Sequence, residues 1–296
     1  MRRRCALAVL VAGLSWALNG CADSSSLLSG HSTLWRVEGE HNAVYLLGSI
    51  HVLPPSAYPF KSSLQRAFKA SARIAFEVDL SASTSHDVTR EFKRSGWYPS
   101  GDTLSRHVSP DTELLLKRVL PALGTSWERV QRLRPWFLAE LVSSRYLQSA
   151  GFRDDLGVDE YFYRKAQAEG KPVQGLETLR DQAQILTGFT DRDSEEYLRS
   201  TLTELPASLA MLQVLVLAWQ NGQIGLLDRL LNQNERADPT AFRMMFSDRN
   251  AKWLPILEGF THAEKNVMVI VGAGHLVGEE GLVQALRRHG YKVRQL

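Results

Sequence analysis

Two histidines follow apolar segments near opposite ends of this 296-residue chain. His51 lies in LGSIHVL, residues 47–53, and His275 lies in VGAGHLV, residues 271–277; both read Gly-x-x-His after an apolar run. Neutral imidazole binds divalent metals and also serves as a general acid or base near neutral pH. The repeated spacing favours one shared site, and two separate hydrogen-bonded turn histidines are the alternative.

Glycines accompany both histidines. Gly48 precedes His51 by three residues, while Gly272 and Gly274 precede His275. Because glycine has no Cβ, these positions are predicted to let the backbone turn tightly and to leave space beside the imidazole rings.

A third candidate is the acidic pair in RIAFEVDL, residues 73–80. Period-two alternation places Glu77 and Asp79 on one face of a strand. An acid inside a buried strand is costly unless it is paired, hydrogen-bonded or bound to a cation, so Glu77 is a candidate ligand. The alternative is an edge strand with a solvated face, in which Asp79 caps the following turn.

Three more polar residues stand beside apolar segments. Glu177 follows the short segment PVQG, residues 172–175, and an ordinary first-turn glutamate of the next helix would explain it equally well. Arg249 and Asn250 lie in a helical pattern shortly before a tryptophan. By that pattern alone, two polar residues are expected to face solvent.

The elements that would position these residues cluster at the two ends of the chain. Apolar patterns predict strands at 34–37, 43–47, 73–79, 172–175, 267–271 and 292–295. The pattern between about 109 and 258 is almost entirely helical. We therefore predict an α/β fold, with a mixed, largely parallel sheet built from the N- and C-terminal segments and a large helical insert forming a cap. The carboxyl ends of parallel strands are where such sheets place their sites.

The N-terminus has the pattern of an export signal. Three arginines precede an apolar run from 6 to 18, which predicts a signal peptide over residues 1–20. The ending LNGC resembles a lipobox, so Cys21 is predicted to be lipidated, with cleavage by ordinary signal peptidase near 17–20 as the alternative. Residues 21–33 are expected to be a tether. The protein is then exported to the periplasm or outer membrane and held at the membrane only by a lipid anchor.

Composition narrows the chemistry of the processed chain. Its two cysteines lie at or before position 21, so any metal beyond that point must be held by His, Asp or Glu. Removing the three leader arginines from 35 basic residues leaves 32, which equals the number of acidic residues. A net charge of zero argues against nucleic-acid binding, which needs a concentrated cationic face.

Taken together, these motifs resemble the TraB/GumN family, which includes the Tiki-type metalloproteases. The resemblance rests on the paired Gly-x-x-His, the strand FEVD, the segment GLET, the Arg-Asn pair and the ending VGAGHLVGEEGLVQALRRHGYKV, and it runs from about 34 to 296. It implies that the metal-site positions are His51, Glu77 and His275. It places Glu177, Arg249 and Asn250 in neighbouring motif positions.

The resemblance implies metal-dependent hydrolysis, with a peptide or protein of the cell envelope as substrate. Mn²⁺, Co²⁺ or Zn²⁺ would suit two imidazoles and a carboxylate. Glu177 is the predicted base for a bound water, and Arg249 is predicted to stabilise an oxyanion or bind a substrate carboxylate.

Two alternatives remain at this point. One is a non-catalytic exported lipoprotein that regulates a surface process or binds a ligand such as haem. The fold is similar to that of ChaN-like haem-binding lipoproteins, in which case His51 or His275 would be an axial ligand. The other is a scaffold in which the polar cluster is purely structural.

Overall fold

The computed structural model describes residues 30–79, 94–232 and 239–296. These residues form two compact units: a helical one of residues 94–152 and 179–210, and one containing the sheet, of residues 30–79, 153–178, 211–232 and 239–296. The predicted signal peptide, Cys21 and most of the tether lie outside the described residues. Export and lipidation therefore stay predictions. The interpretation of residues 109–258 as a single helical insert also stays a prediction.

The sheet has six strands in the order β4-β3-β5-β2-β1-β6. Strands β4, β3, β5 and β2 are parallel to one another, while β1 pairs antiparallel with β2 and with β6. This confirms the predicted α/β fold with a mixed, largely parallel sheet. The strands are β1 Leu34–Glu38, β2 Ala43–Ser49, β3 Arg73–Val78, β4 Val173–Glu177, β5 Val267–Gly272 and β6 Val293–Gln295.

Apolar side chains cover both faces of the central strands. Every residue of β5, VMVIVG, is buried, as a parallel strand with helices on both faces requires. Strand β3 pairs with β5 on one side and β4 on the other, with Phe76 opposite both Ile270 and Gly175. The alternative of a solvated edge strand at 73–79 is therefore wrong, and Glu77 lies in the sheet interior.

The described residues also form helices, and both units contain some of them. A π-helical turn at Arg243–Ser247 separates the helices Pro239–Phe242 and Asp248–Thr261. The helices are α1 Ser62–Ala70, α2 Pro110–Val119, α3 Pro135–Ser149, α4 Val158–Ala168, α5 Leu179–Thr187, α6 Asp191–Gln220, α7 Ile224–Asn232, α8 Pro239–Phe242, α9 Asp248–Thr261 and α10 Leu282–Arg288.

The helical unit has its own hydrophobic core, to which Leu116, Leu138, Leu198 and Leu202 contribute fully or almost fully buried side chains. Two of these leucines belong to α6, which is long and apolar enough to cross a membrane by length and composition alone. The same pattern is expected of a helix that lies in the core of a folded unit. The hydropathy of α6 therefore assigns it no membrane role.

Candidate active site

Each of the four parallel strands carries a predicted site residue at or just beyond its carboxyl end. Glu77 and Glu177 lie within the last two residues of β3 and β4. His51 follows β2, and His275 follows β5 in a short 3₁₀ turn. Because parallel strands end at the same edge of a sheet, four distant sequence segments supply one cluster there.

The centre of this cluster is the guanidinium of Arg249, from α9. Its Nη2 donates to Glu77 Oε2 and to Glu177 Oε1, both at 2.7 Å. Its Nε donates to Glu177 Oε2 at 3.1 Å, and its Nη1 donates to His275 Nε2 and to the Met245 carbonyl, both at 2.9 Å. An arginine has five N–H groups, and all five are used here. We call the five residues joined by these hydrogen bonds the Arg249 cluster: Arg249, Glu77, Glu177, His275 and Met245.

Glu77 is buried and ionised in this cluster. Its second oxygen, Oε1, accepts the backbone N–H of Gly272 at 2.7 Å. Burial alone would raise the pKa of Glu77, but the adjacent Arg249 charge lowers it to about 2, with smaller contributions from His275, His51 and the Gly272 N–H. The expectation that this acid is paired inside the strand agrees with the structure, and its partner is a side chain of the protein.

His275 is a buried, neutral imidazole. Since arginine can only donate, Nε2 of His275 must accept, so its proton lies on Nδ1, which donates to Asn250 Oδ1 at 2.7 Å. Asn250 is itself held by the Glu280 carbonyl at 2.9 Å. Burial and the positive charge of Arg249 lower the pKa of His275 to about 3. Both ring nitrogens are therefore engaged, and an axial-ligand role for this histidine has no support here.

His51 differs from His275 in exposure, charge and partner. Its Nδ1 lies 2.9 Å from Oδ1 of Asp159, and its side chain is 21% exposed. Burial alone would lower the pKa of His51, but the Asp159 carboxylate raises it to about 9, and the charges of Glu77 and Arg249 also influence it. Among the described residues, none makes a hydrogen bond to Nε2, so this nitrogen is available to a substrate or water.

The glycines of the two Gly-x-x-His motifs leave space for close packing. A Cβ on Gly48 would lie 2.7 Å from Cγ2 of Thr33, and one on Gly274 would lie 2.7 Å from Cε1 of Phe246. Gly272 contributes its N–H to Glu77. None of the three has a positive φ. These glycines therefore allow close packing against Thr33 and Phe246, and Gly274 lies in the 3₁₀ turn that carries His275. The predicted space beside the imidazole rings stays a prediction.

Some contributors to the site were missed from the sequence. Asp159 lies in the first turn of α4, where an acid is ordinary because it interacts favourably with the helix N-terminus. Phe246 and the Met245 carbonyl come from the π-helical turn, a feature that often marks functional sites but has no sequence signal here. Arg249 and Asn250 were expected to face solvent by pattern alone, yet both are buried.

The arrangement also decides whether the implied metal site fits. Arg249 donates hydrogen bonds to Oε2 of Glu77, to both oxygens of Glu177 and to Nε2 of His275. Among the described residues, no three His, Cys, Asp or Glu side chains are arranged to hold a metal ion. The donor types suit a divalent cation, but their arrangement does not fit one, because a guanidinium already occupies the position between them.

Comparison with known proteins gives a consistent family. The chain is 25% identical to protein YbaP of Escherichia coli (strain K12) over 243 residues, covering 82% of this chain and 87% of that protein. It is 22% identical to a metalloprotease TIKI homolog of Nematostella vectensis over 352 residues, covering 96% and 71%. A TIKI homolog of Amphimedon queenslandica is 20% identical, covering 97% and 66%. No solved structure matches. The TraB/PrgY/gumN family model matches residues 33–295, and the chain belongs to this family.

Proposed function

We propose that this protein is a hydrolase that cleaves an acyl bond, in particular the amide of a peptide, with a water molecule activated at His51. The observation that carries the proposal is the pair formed by His51 and Asp159. In this pair Asp159 binds Nδ1 of His51, and Nε2 of the same ring stays available at the carboxyl edge of the parallel strands. The relatives described as metalloprotease TIKI homologs support the same reaction class.

The pair can carry out both proton transfers of the reaction. Nε2 of His51 accepts a proton from the water as the water oxygen forms a bond to the carbonyl carbon. When the carbon–nitrogen bond breaks, Nε2 returns that proton to the leaving nitrogen. Asp159 orients the ring and stabilises its protonated form, as a carboxylate does for a catalytic histidine elsewhere. Because the pKa of His51 is raised to about 9, hydrolysis is expected to increase with pH up to that range.

The Arg249 cluster has a different part in this proposal. All N–H groups of Arg249 donate hydrogen bonds within the cluster, so none is left to bind the substrate. Arg249 instead supplies a fixed positive charge near His51. Glu177 uses both oxygens on the same guanidinium, and Asn250 fixes the tautomer of His275. We therefore assign the base role to His51 and positioning roles to Glu177 and Asn250. The proposed reaction uses no metal ion, because the arrangement of these side chains does not fit one.

Hydrolysis of a pool of fluorogenic peptides tests this function. Wild type is expected to cleave at least one member, and His51→Ala is expected to lose about 10²- to 10⁴-fold in rate, as for removal of a general base. His262→Ala is the matched control, since His262 pairs with Glu40 at 2.8 Å but is exposed. The proposal fails if wild type cleaves no peptide, or if His51→Ala and His262→Ala are equally active.

We further propose that the protein acts in the cell envelope, on an exported peptide or protein. The support is the leader pattern of residues 1–20 and the cysteine that follows it. Fractionation of cells that express the full chain, together with Cys21→Ser, checks this. The wild-type protein should sediment with membranes and the variant should be soluble in the periplasm. A cytoplasmic wild-type protein would contradict the proposal.

A further inference from the structure

Four of the five acceptors around Arg249 are atoms of the kind that bind divalent metals. They are three carboxylate oxygens, from Glu77 and Glu177, and one imidazole nitrogen, from His275. The side chains of Arg249, Glu77 and Glu177 are each no more than 10% exposed. A buried carboxylate requires a nearby positive charge or hydrogen-bond donors, and Arg249 supplies both.

We propose that Arg249 is the resident cation of this site and that it excludes a divalent metal from it. A metal held by the same four atoms would have to displace their hydrogen bonds to the guanidinium. It would also leave a second positive charge buried next to it, which is unfavourable in a site of low exposure. The family resemblance implies a metal held by His51, Glu77 and His275, and in this chain Glu77 and His275 bind the Arg249 guanidinium instead.

The remaining donor atoms do not complete a metal site elsewhere in the cluster. Glu77 Oε1 accepts the Gly272 N–H, and His275 Nδ1 carries the proton that it donates to Asn250. That leaves Nε2 of His51 as the available nitrogen among the ligands that the resemblance implies. Metal sites in proteins usually need three or four protein ligands, so one imidazole does not make one.

This inference concerns the cation and does not require the proposed hydrolysis, so the two can fail separately. Where hydrolysis does occur, it follows that the reaction continues in EDTA. The direct readouts, metal content and thermal stability, are independent of activity. If the wild-type protein binds metal in this cluster and also cleaves peptides, only the inference is overturned. If it neither binds metal nor cleaves peptides, only the proposed function is overturned.

The experiment compares wild type with Arg249→Met, which removes the charge but keeps an unbranched side chain, and with Arg249→Lys, which keeps a charge. Each protein is dialysed against EDTA and then equilibrated with excess Zn²⁺, Mn²⁺ or Co²⁺. Elemental analysis gives the bound metal, and melting curves with and without metal give its effect on Tm. A ligand that binds only the folded state raises Tm.

Wild type and Arg249→Lys are expected to retain little metal and to show the same Tm with and without it. Arg249→Met is expected to bind metal at least about tenfold more tightly than wild type and to gain Tm on binding. Equimolar metal in wild type after purification, with a Tm that falls in EDTA, would overturn the inference. So would a folded Arg249→Met that binds no metal. If that variant does not fold, the wild-type measurements decide alone.

Discussion

Glu77 and Glu140 are glutamates with buried carboxyl atoms in different units of this protein, and their pKa values are shifted in opposite directions. In the sheet unit, Arg249 lowers the pKa of Glu77 to about 2 despite its burial. In the helical unit, burial raises the pKa of Glu140 to about 7, and the hydrogen bond from the Tyr197 hydroxyl opposes this effect. Among the described residues, Oε2 of Glu140 has no hydrogen-bond partner.

The contrast separates two consequences of burying a carboxyl group. Desolvation disfavours the charged form in both places, and the sign of the net shift depends on whether a fixed cation is adjacent. Glu77 therefore stays ionised at neutral pH and holds Arg249 in place. Glu140 takes up a proton near neutral pH, and in the described part of the chain no cation pairs with it. Only the first arrangement gives a charged cluster that can serve chemistry at neutral pH.

Arg249→Met should have the largest effect, because it leaves the buried Glu77 and Glu177 carboxylates without their cation. Removing one partner of a buried ion pair typically costs about 3–5 kcal/mol of unfolding free energy. Urea denaturation at neutral pH, without added metal, measures it. Arg153→Met is the control, since Arg153 is 54% exposed and pairs with Asp155 on the surface, where about 0–1 kcal/mol is expected. Equal losses in the two variants would mean that Arg249 has no special role.

Glu140→Gln should stabilise the protein at alkaline pH. The folded-state pKa of Glu140 is raised from 4.5 to about 7. The folded form therefore binds more protons than the unfolded form, and stability is lost as pH rises through this window. Relative to wild type, the variant should gain on the order of 3 kcal/mol at pH 8 and little near pH 4.

Melting curves at the two pH values check this effect, with Glu113→Gln in the same unit as a surface control. Glu113 pairs with Lys117 at 2.6 Å on the helix surface, so its replacement should change stability by no more than about 0.5 kcal/mol. A gain for Glu140→Gln that is the same at both pH values would contradict the raised pKa.

Tyr197→Phe should have the smallest of these effects. It removes the hydroxyl that donates to Glu140 Oε1 and should cost about 1–2 kcal/mol. Because the hydroxyl stabilises the ionised carboxylate most, the loss should be larger at pH 8 than at pH 5. Combining it with Glu140→Gln in a double-mutant cycle isolates the interaction. A loss that does not depend on pH would indicate that Glu140 stays protonated throughout.

The sequence was informative where periodicity and topology act together. The apolar runs before His51 and His275, with the acid inside residues 73–79, were enough to place three side chains at one edge of a parallel sheet. The sequence also predicts Glu177 as a candidate, although its strand is short and only partly buried. These predictions follow from strand ends, which are local features of the chain.

What the sequence did not reveal depends on which helix packs where. Asp159 looks like any first-turn acid, and its contact with His51 links residues 108 positions apart. Arg249 and Asn250 follow a helical pattern that is compatible with solvent exposure, and only tertiary packing buries them. Glu140 has no sequence signal, because an isolated glutamate is common in a helix. The sequence did not predict that the Arg249 guanidinium would lie against the predicted metal ligands Glu77 and His275.

The most direct measurement of the central claim is a crystal structure of the wild-type protein soaked with Mn²⁺, with anomalous differences used to locate the metal. We predict that no anomalous peak lies within bonding distance of Glu77, Glu177 or His275. We also predict that the Arg249 guanidinium remains between the two carboxylates. A Mn²⁺ peak coordinated by these side chains, with Arg249 displaced from the cluster, would contradict the account.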